Sequence, residues 1–222
     1  MKRIIDVLCS SFALLCFLPV GLPIVIILKS TGEGLVFYKQ QRVGKDGKMF
    51  GLLKFVTMLK NSPNTGSGLL TTKNDPRVLP VGKFLRKTKL NEIPQLINIL
   101  IGDMSIIGPR PQAKPHFDVF PKHVKKELIK VRPGLSGIGS IVFRDEETIM
   151  EQSKKPKDKF YAEDIAPYKG ELELWYIDNQ TTILDIKLIF LTVWVVLFSE
   201  SKLYRDMLKD LPKSDNPSLC TL

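Results

Sequence analysis

Cysteine and histidine are scarce: 222 residues hold three of the first and two of the second. Cys9 and Cys16 lie inside an apolar N-terminal run and Cys220 lies near the other end, so no disulfide framework and no metal-ligand spacing can be built from them. That usage fits a reducing compartment. Neither Ala13-Leu14-Leu15-Cys16 nor Cys220-Thr221-Leu222 makes a lipidation site, the first for want of a small residue before cysteine and the second for being one residue short. His116 and His123, seven apart in a polar region, read as surface residues. Acid is also short, with 23 Asp and Glu against 33 Lys and Arg, a net charge of +10. The excess suits an anionic partner such as a phosphate substrate or an anionic membrane leaflet. Nucleic acid would suit it too, but no aromatic-interleaved basic motif or nucleic-acid module is present, and that partner is set aside. The densest basic stretches, Lys122 to Arg132 and Lys154 to Lys159, suit an anionic partner or plain solvated faces alike, and charge alone does not choose. No internal repeat occurs.

What the chain does have is a long apolar run. From Ile4 to Leu28 the only charged residue is Asp6, and about 25 residues suffice to cross a bilayer as a helix. No small-x-small cleavage site follows, so removal as a signal peptide is not expected. Pro19 and Pro23, with Gly21 between them, should bend such a helix by freeing backbone carbonyls. Lys2 and Arg3 precede the run, and Lys29, Lys39, Arg42, Lys45 and Lys48 follow it. Positive charge on both flanks predicts that both ends face the cytoplasm, as in a re-entrant helix. A second apolar stretch, Leu188 to Phe198, is too short to span. With Trp175, Tyr176 and Trp194 near it, it reads as an interfacial helix or as an ordinary core helix. Between these ends, strand-like runs (Val36–Tyr38, Lys48–Phe55) alternate with helices, and Asn61 to Gly68 reads as a loop.

The densest chemistry lies between Leu85 and Pro111. Ile93, Leu96, Ile97, Leu100 and Ile101 fall at helical spacing on one face, which predicts a short amphipathic helix with Pro94 in its first turn. Asn91 then sits at or near the N-cap, and Glu92 complements the positive end of the dipole. Gly102 should end the helix. Beyond it, Gly108-Pro109-Arg110-Pro111 holds an arginine between two rigid residues, a placement suited to bidentate phosphate contact.

With these motifs in place, the chain resembles the bacterial sugar transferases, the monotopic phosphoglycosyl transferases that begin exopolysaccharide and glycan assembly. The resemblance covers nearly the whole chain. It rests on Lys2-Arg3-Ile4-Ile5-Asp6, the run from Phe37 to Gly47, Lys54-Phe55-Val56-Thr57-Met58, Asp75-Pro76-Arg77, Gly82 to Arg86, Leu90 to Pro111 and Arg132-Pro133-Gly134-Leu135-Ser136-Gly137. It implies an α/β, mostly helical cytosolic domain with a re-entrant membrane helix over 1–30. The catalytic domain would fill 31–222, with an interfacial helix near 183–198.

The activity implied is transfer of a sugar 1-phosphate from a UDP-sugar to polyprenol (undecaprenyl) phosphate, releasing UMP, at the cytoplasmic face of the bacterial inner membrane. Membrane lipids and downstream glycosyltransferases would be its partners. Several phosphate charges must then be held close together, which calls for cationic side chains and a divalent cation, commonly Mg²⁺. Arg110, Arg86, Arg77, Arg144, Arg132 and Lys54 are the phosphate-binding candidates, Arg77 and Arg86 being equally suited to structural ion pairs. Glu92 would assist at the metal.

One residue departs from the family's pattern where it matters most. The family carries an Asp-Glu dyad whose aspartate attacks the β-phosphate; here the pair is Asn91-Glu92. Asparagine has nearly the same shape and caps a helix as well, but its neutral amide is a poor nucleophile toward phosphorus. Either another group attacks (Glu92, or the lipid phosphate directly), or the chain is a silent relative serving as a membrane-bound scaffold, or Asn91 was introduced to trap a complex. Smaller departures are Val56 in place of an arginine and Phe143-Arg144-Asp145 in place of Gly-Arg-Asn. The acids Glu146 and Glu147 then follow, an acidic run that could contact sugar hydroxyls or form a solvated face, the second being favoured.

Overall fold

The computed structural model describes residues 1–62, 75–198, 201–214, 216 and 219. Most of the expected Asn61 to Gly68 loop, and Cys220 to Leu222, lie outside them. The described residues are mostly helical and pack as two compact units. One holds Ile4–Gln41 and Gly51–Gly102; the other holds Met1–Arg3, Arg42–Phe50 and Asp103–Leu222.

The apolar run forms a single helix, α1 (Lys2–Ser30), which continues through Pro19 and Pro23. At about 1.5 Å per residue its 29 residues are long and apolar enough to cross a membrane. Next comes a hairpin of β1 (Phe37–Val43) and β2 (Met49–Phe55). Its turn is tight because Asp46 and Gly47 both take positive φ, 57° and 71°.

In the first unit, α2 (Pro80–Lys87) begins on a proline at its first position, and α3 (Gln95–Ile101) is closed by Gly102 at φ 98°. Ile24 and Leu28 of α1, Phe55 and Leu85 form this unit's core. Two expectations change here. The buried face of α3 is Gln95, Leu96, Asn98 and Ile99, while Ile97 and Ile101 are exposed. Asn98 turns inward because its amide completes the β2 backbone: Oδ1 accepts from the Leu53 N–H at 2.9 Å and Nδ2 donates to the Gly51 carbonyl at 2.9 Å. Asn91, moreover, does not cap α3. It lies in a separate 3₁₀ turn, Leu90–Glu92, entered through left-handed Lys89, and Pro94 takes the cap position.

The second unit is organised by a parallel pair, β3 (Ser105–Ile107) and β4 (Gly134–Ser136), in register Ser105 with Gly134 and Ile107 with Ser136. Around it follow α4 (Lys114–Asp118), α5 (Lys122–Leu128), α6 (Ile138–Val142), α7 (Glu146–Gln152) and α8 (Lys157–Phe160). A π turn (Tyr161–Ile165) leads into α9 (Ala166–Asp178), then α10 (Thr182–Leu197) and α11 (Leu203–Met207). Ile107, Val124, Ile138, Ile165, Leu172, Tyr176, Leu188 and Leu191 are core residues with almost no exposure. The Thr181 side chain caps α10, accepting from the Leu184 N–H at 3.1 Å. α10 packs one face into the core, with Leu184, Leu188, Leu191 and Val195 buried, and leaves an apolar face exposed, with Ile183, Ile186, Phe190, Val193 and Leu197 at equally regular spacing. His116 is not a plain surface residue. It is half-buried with its ring 5.0 Å from that of Tyr161, and burial, with Arg42 nearby, lowers its pKa.

Candidate functional site

Lys54, Arg77, Arg86, Asn91 and Glu92 belong to the first unit. β2 delivers Lys54, and the 3₁₀ turn delivers Glu92, so that ammonium and carboxylate stand 3.6 Å apart, both less than one-fifth exposed. Beside Glu92 in the chain, Asn91 is buried and its Oδ1 accepts no hydrogen bond. A buried acceptor without a donor is costly, at roughly 1–3 kcal/mol. Gln95 Nε2, one turn further on, is likewise buried and unpartnered.

Arg77 is differently engaged. Its Nε donates to Asp75 Oδ1 at 2.9 Å, its Nη2 to Asp75 Oδ2 at 2.6 Å and its Nη1 to the Ser62 carbonyl at 2.6 Å. Both partners of this fork are buried, and removing one partner of such a pair costs about 3–5 kcal/mol. The geometry makes Arg77 a strut that ties the chain at Ser62 to the entry of α2. Arg86, on α2, points Nη1 at Met58 Sδ, 3.8 Å away.

Arg110, Arg132 and Arg144 belong to the second unit. The Arg110 loop leaves β3 and is fixed on both sides: the Gly134 N–H donates to the Pro109 carbonyl at 2.8 Å, Arg42 Nη1 to the Pro111 carbonyl at 3.3 Å, and the Val43 N–H to the Gln112 carbonyl at 3.0 Å. A small pocket of about 20 Å³ opens there, lined by Gly44, Arg110, Gln112, Phe117 and Ile129 among others. Arg132 is exposed at the start of the β4 strand, and Arg144 reaches the Val196 carbonyl of α10 at 3.5 Å.

Three features escaped the sequence. The acidic run after Arg144 is not merely solvated, because Glu146 takes the ammonium of Lys169 at 2.6 Å and lets that lysine be buried on α9. The Glu147 side chain lies outside the described residues. Lys2 donates to Tyr176 Oη at 2.9 Å and to Asp185 Oδ2 at 2.7 Å, tying the amino end of α1 to α9 and α10. Glu173, buried on α9, accepts from the Arg110 N–H at 3.3 Å. Each involves a charged residue at a helical spacing that looks solvent-facing in one dimension, so only long-range contacts reveal it.

Comparison with known proteins gives a consistent picture. The family described as bacterial sugar transferase matches residues 1–199. A UDP-glucose:undecaprenyl-phosphate glucose-1-phosphate transferase of Klebsiella pneumoniae is 36% identical over 90% of this chain and 41% of its own length. The exopolysaccharide production protein ExoY of Rhizobium meliloti is 34% identical over 89% of this chain and 86% of its own. A UDP-N-acetylgalactosamine-undecaprenyl-phosphate N-acetylgalactosaminephosphotransferase of Aeromonas hydrophila is 33% identical over 89% of this chain and 44% of its own. The chain thus spans about two-fifths of the length of the two longer relatives.

Proposed function

Because the chain belongs to the bacterial sugar transferase family, we propose that it moves a sugar 1-phosphate from a UDP-sugar to polyprenol (undecaprenyl) phosphate and releases UMP. The observation that carries this reading is the Lys54–Glu92 pair beside the unpartnered Asn91 Oδ1, a charged, partly enclosed set at the position of the family's Asp-Glu dyad. The residues fit Mg²⁺. Glu92 and Asn91 offer a carboxylate and an amide oxygen, and no cluster of three or more His, Cys, Asp or Glu occurs among the described residues. A cation held there would take its remaining ligands from phosphate and water, as Mg²⁺ does. When bound it would neutralise phosphate charge.

Asn91 sets the order of events. Its amide does not attack phosphorus, and Glu92 is held against the Lys54 ammonium, which damps its nucleophilicity. An oxygen of the lipid phosphate therefore attacks the donor's β-phosphorus directly. The bond from that phosphorus to the bridging oxygen breaks, and UMP leaves with the electron pair. Lys54 and Glu92 orient the reacting phosphates, and Arg110, fixed by its own unit, keeps the phosphate-binding role the resemblance implies. The resemblance implies the same role for Arg132 and Arg144 of that unit and, separately, for Arg86 of the first unit.

A direct displacement requires both substrates at once. Purified protein is expected to release UMP from at least one UDP-sugar only when polyprenol phosphate is also present. Asn91→Asp should release a burst of UMP with donor alone, as an aspartyl phosphosugar forms. No release by the unaltered chain with any donor, alongside activity in Asn91→Asp, would instead identify a silent relative of scaffold type.

The membrane reading rests on α1 and on the exposed face of α10, both rich in uncovered apolar side chains. Lys2 is bonded to Asp185 and Tyr176, which supports placing the amino end of α1 on the same side of the membrane as α10. That agrees with a re-entrant helix over 1–30, a catalytic domain over 31–222 and a location on the cytoplasmic face of the inner membrane, where downstream glycosyltransferases would take up the product. An impermeant reagent should label the Met1 amino group from the cytoplasmic face; labelling from the outer face would overturn the re-entrant reading.

A further inference from the structure

Pro109 and Pro111 have no N–H, so the Arg110 N–H is the one main-chain donor between Gly108 and Gln112. It goes to Glu173 Oε1. Glu173 is 2% exposed, and its other oxygen, Oε2, receives no hydrogen bond. Gly139 of α6 lies so close to this carboxylate that any side chain there would collide with it. Lys169, one turn earlier on α9, does not neutralise Glu173 by pairing: its ammonium is 2.6 Å from Glu146 and 5.5 Å from the centre of the Phe143 ring. An amide carbonyl would accept the same hydrogen bond without leaving a charged oxygen bare. An acid here differs from an amide in one respect: its hold on the N–H changes with protonation.

We propose that Glu173 is a positioning residue whose ionised carboxylate fixes the main chain at Arg110, and so sets where the guanidinium meets the donor's phosphate. The proposal rests on the reading of Arg110 as a phosphate-binding residue. Burial pushes the Glu173 carboxyl up to about 7, against the opposing pull of the Arg110 N–H and of the charges on Lys169 and Arg110. The groups that act on it are Lys169 and Tyr176 from its own helix and Arg110 from the loop, with Glu146 of α7 reached through Lys169; α6 presents uncharged Gly139. Protonation replaces a charge-assisted acceptor with a neutral one, so the loop loosens as pH falls through neutrality.

The test compares the full chain with Glu173→Gln. Between about pH 8 and about pH 6, the donor KM of the unaltered chain should rise about tenfold with kcat changing less than about twofold, the scale of a halved charge-assisted bond. Glu173→Gln should show the high KM throughout. Hydrogen exchange without donor gives a readout independent of activity: at about pH 8 the Arg110 amide should exchange about tenfold faster in Glu173→Gln, and at about pH 6 the two rates should coincide. Equal exchange at both pH values overturns the proposal, as does an unchanged KM profile in the variant. If the exchange difference is present but neither protein releases UMP from any donor, the transferase reading fails while the positioning of Arg110 by Glu173 stands.

Discussion

Glu92→Gln should lower UMP release by about 10²–10³-fold, the effect of removing one charged group that meets developing charge in a transition state. The same change should move the unfolding free energy by no more than about 1 kcal/mol. The two magnitudes separate because of where Glu92 stands. Its distance to Lys54, 3.6 Å, is longer than a charge-assisted hydrogen bond, and both side chains keep contact with water. Gln preserves volume and shape, so neither a cavity nor a clash follows. Phosphates arriving at Lys54, in contrast, meet a set in which the carboxylate is the only negative group of the pair. Gln keeps an oxygen at this place but loses the negative charge that orients the ammonium. A UMP-release assay run beside thermal unfolding decides the matter; a parallel collapse of stability and activity would assign Glu92 to the fold instead.

Where local chemistry determines local geometry, the sequence was readable. Gly102 closes α3 because only a residue tolerant of positive φ ends a helix that way. The long apolar helix and the short one at 182–197 follow from hydrophobic runs alone. Periodicity misleads at α3, where it puts Ile97 and Ile101 on the apolar face although both are exposed; Asn98 is inside because its amide supplies a donor and an acceptor to the β2 backbone. Asn91 misled for a related reason. A residue suited to capping precedes a helix, yet Pro94 intervenes and Asn91 Oδ1 meets no donor among the described residues. Among the cations, Arg77 and Arg110 look alike in sequence, each beside a proline. Asp75, two positions from Arg77, holds its guanidinium in a local fork, whereas at Arg110 it is the main-chain N–H that donates to an acid, Glu173, from 63 positions away. Pairings at that separation have no signature in a single sequence.

Gly134→Ala should cost about 4 kcal/mol or more, or prevent folding, although it adds one methyl group. β3 and β4 approach at this point through glycine on both sides. A Cβ on Gly134 would run into the main-chain nitrogen and oxygen of Gly108 and the carbonyl of Ser136, none of which can swing aside as the end of a flexible side chain could. Gly108 is equally confined, with the Arg132 carbonyl 2.7 Å from where its own Cβ would stand. The only relief is to part the strands. That would break the Gly108 N–H bond to Ser136 and the Gly134 N–H bond to Pro109, both near 3 Å, and would withdraw the support on one side of the Arg110 loop. Alanine at this site therefore acts on phosphate binding through the same displacement that destabilises the unit. If the variant can be recovered at low temperature, its donor KM should rise along with the fall in unfolding temperature, and a variant that unfolds early but binds donor normally would show that the Arg110 loop is held independently of the β3–β4 contact.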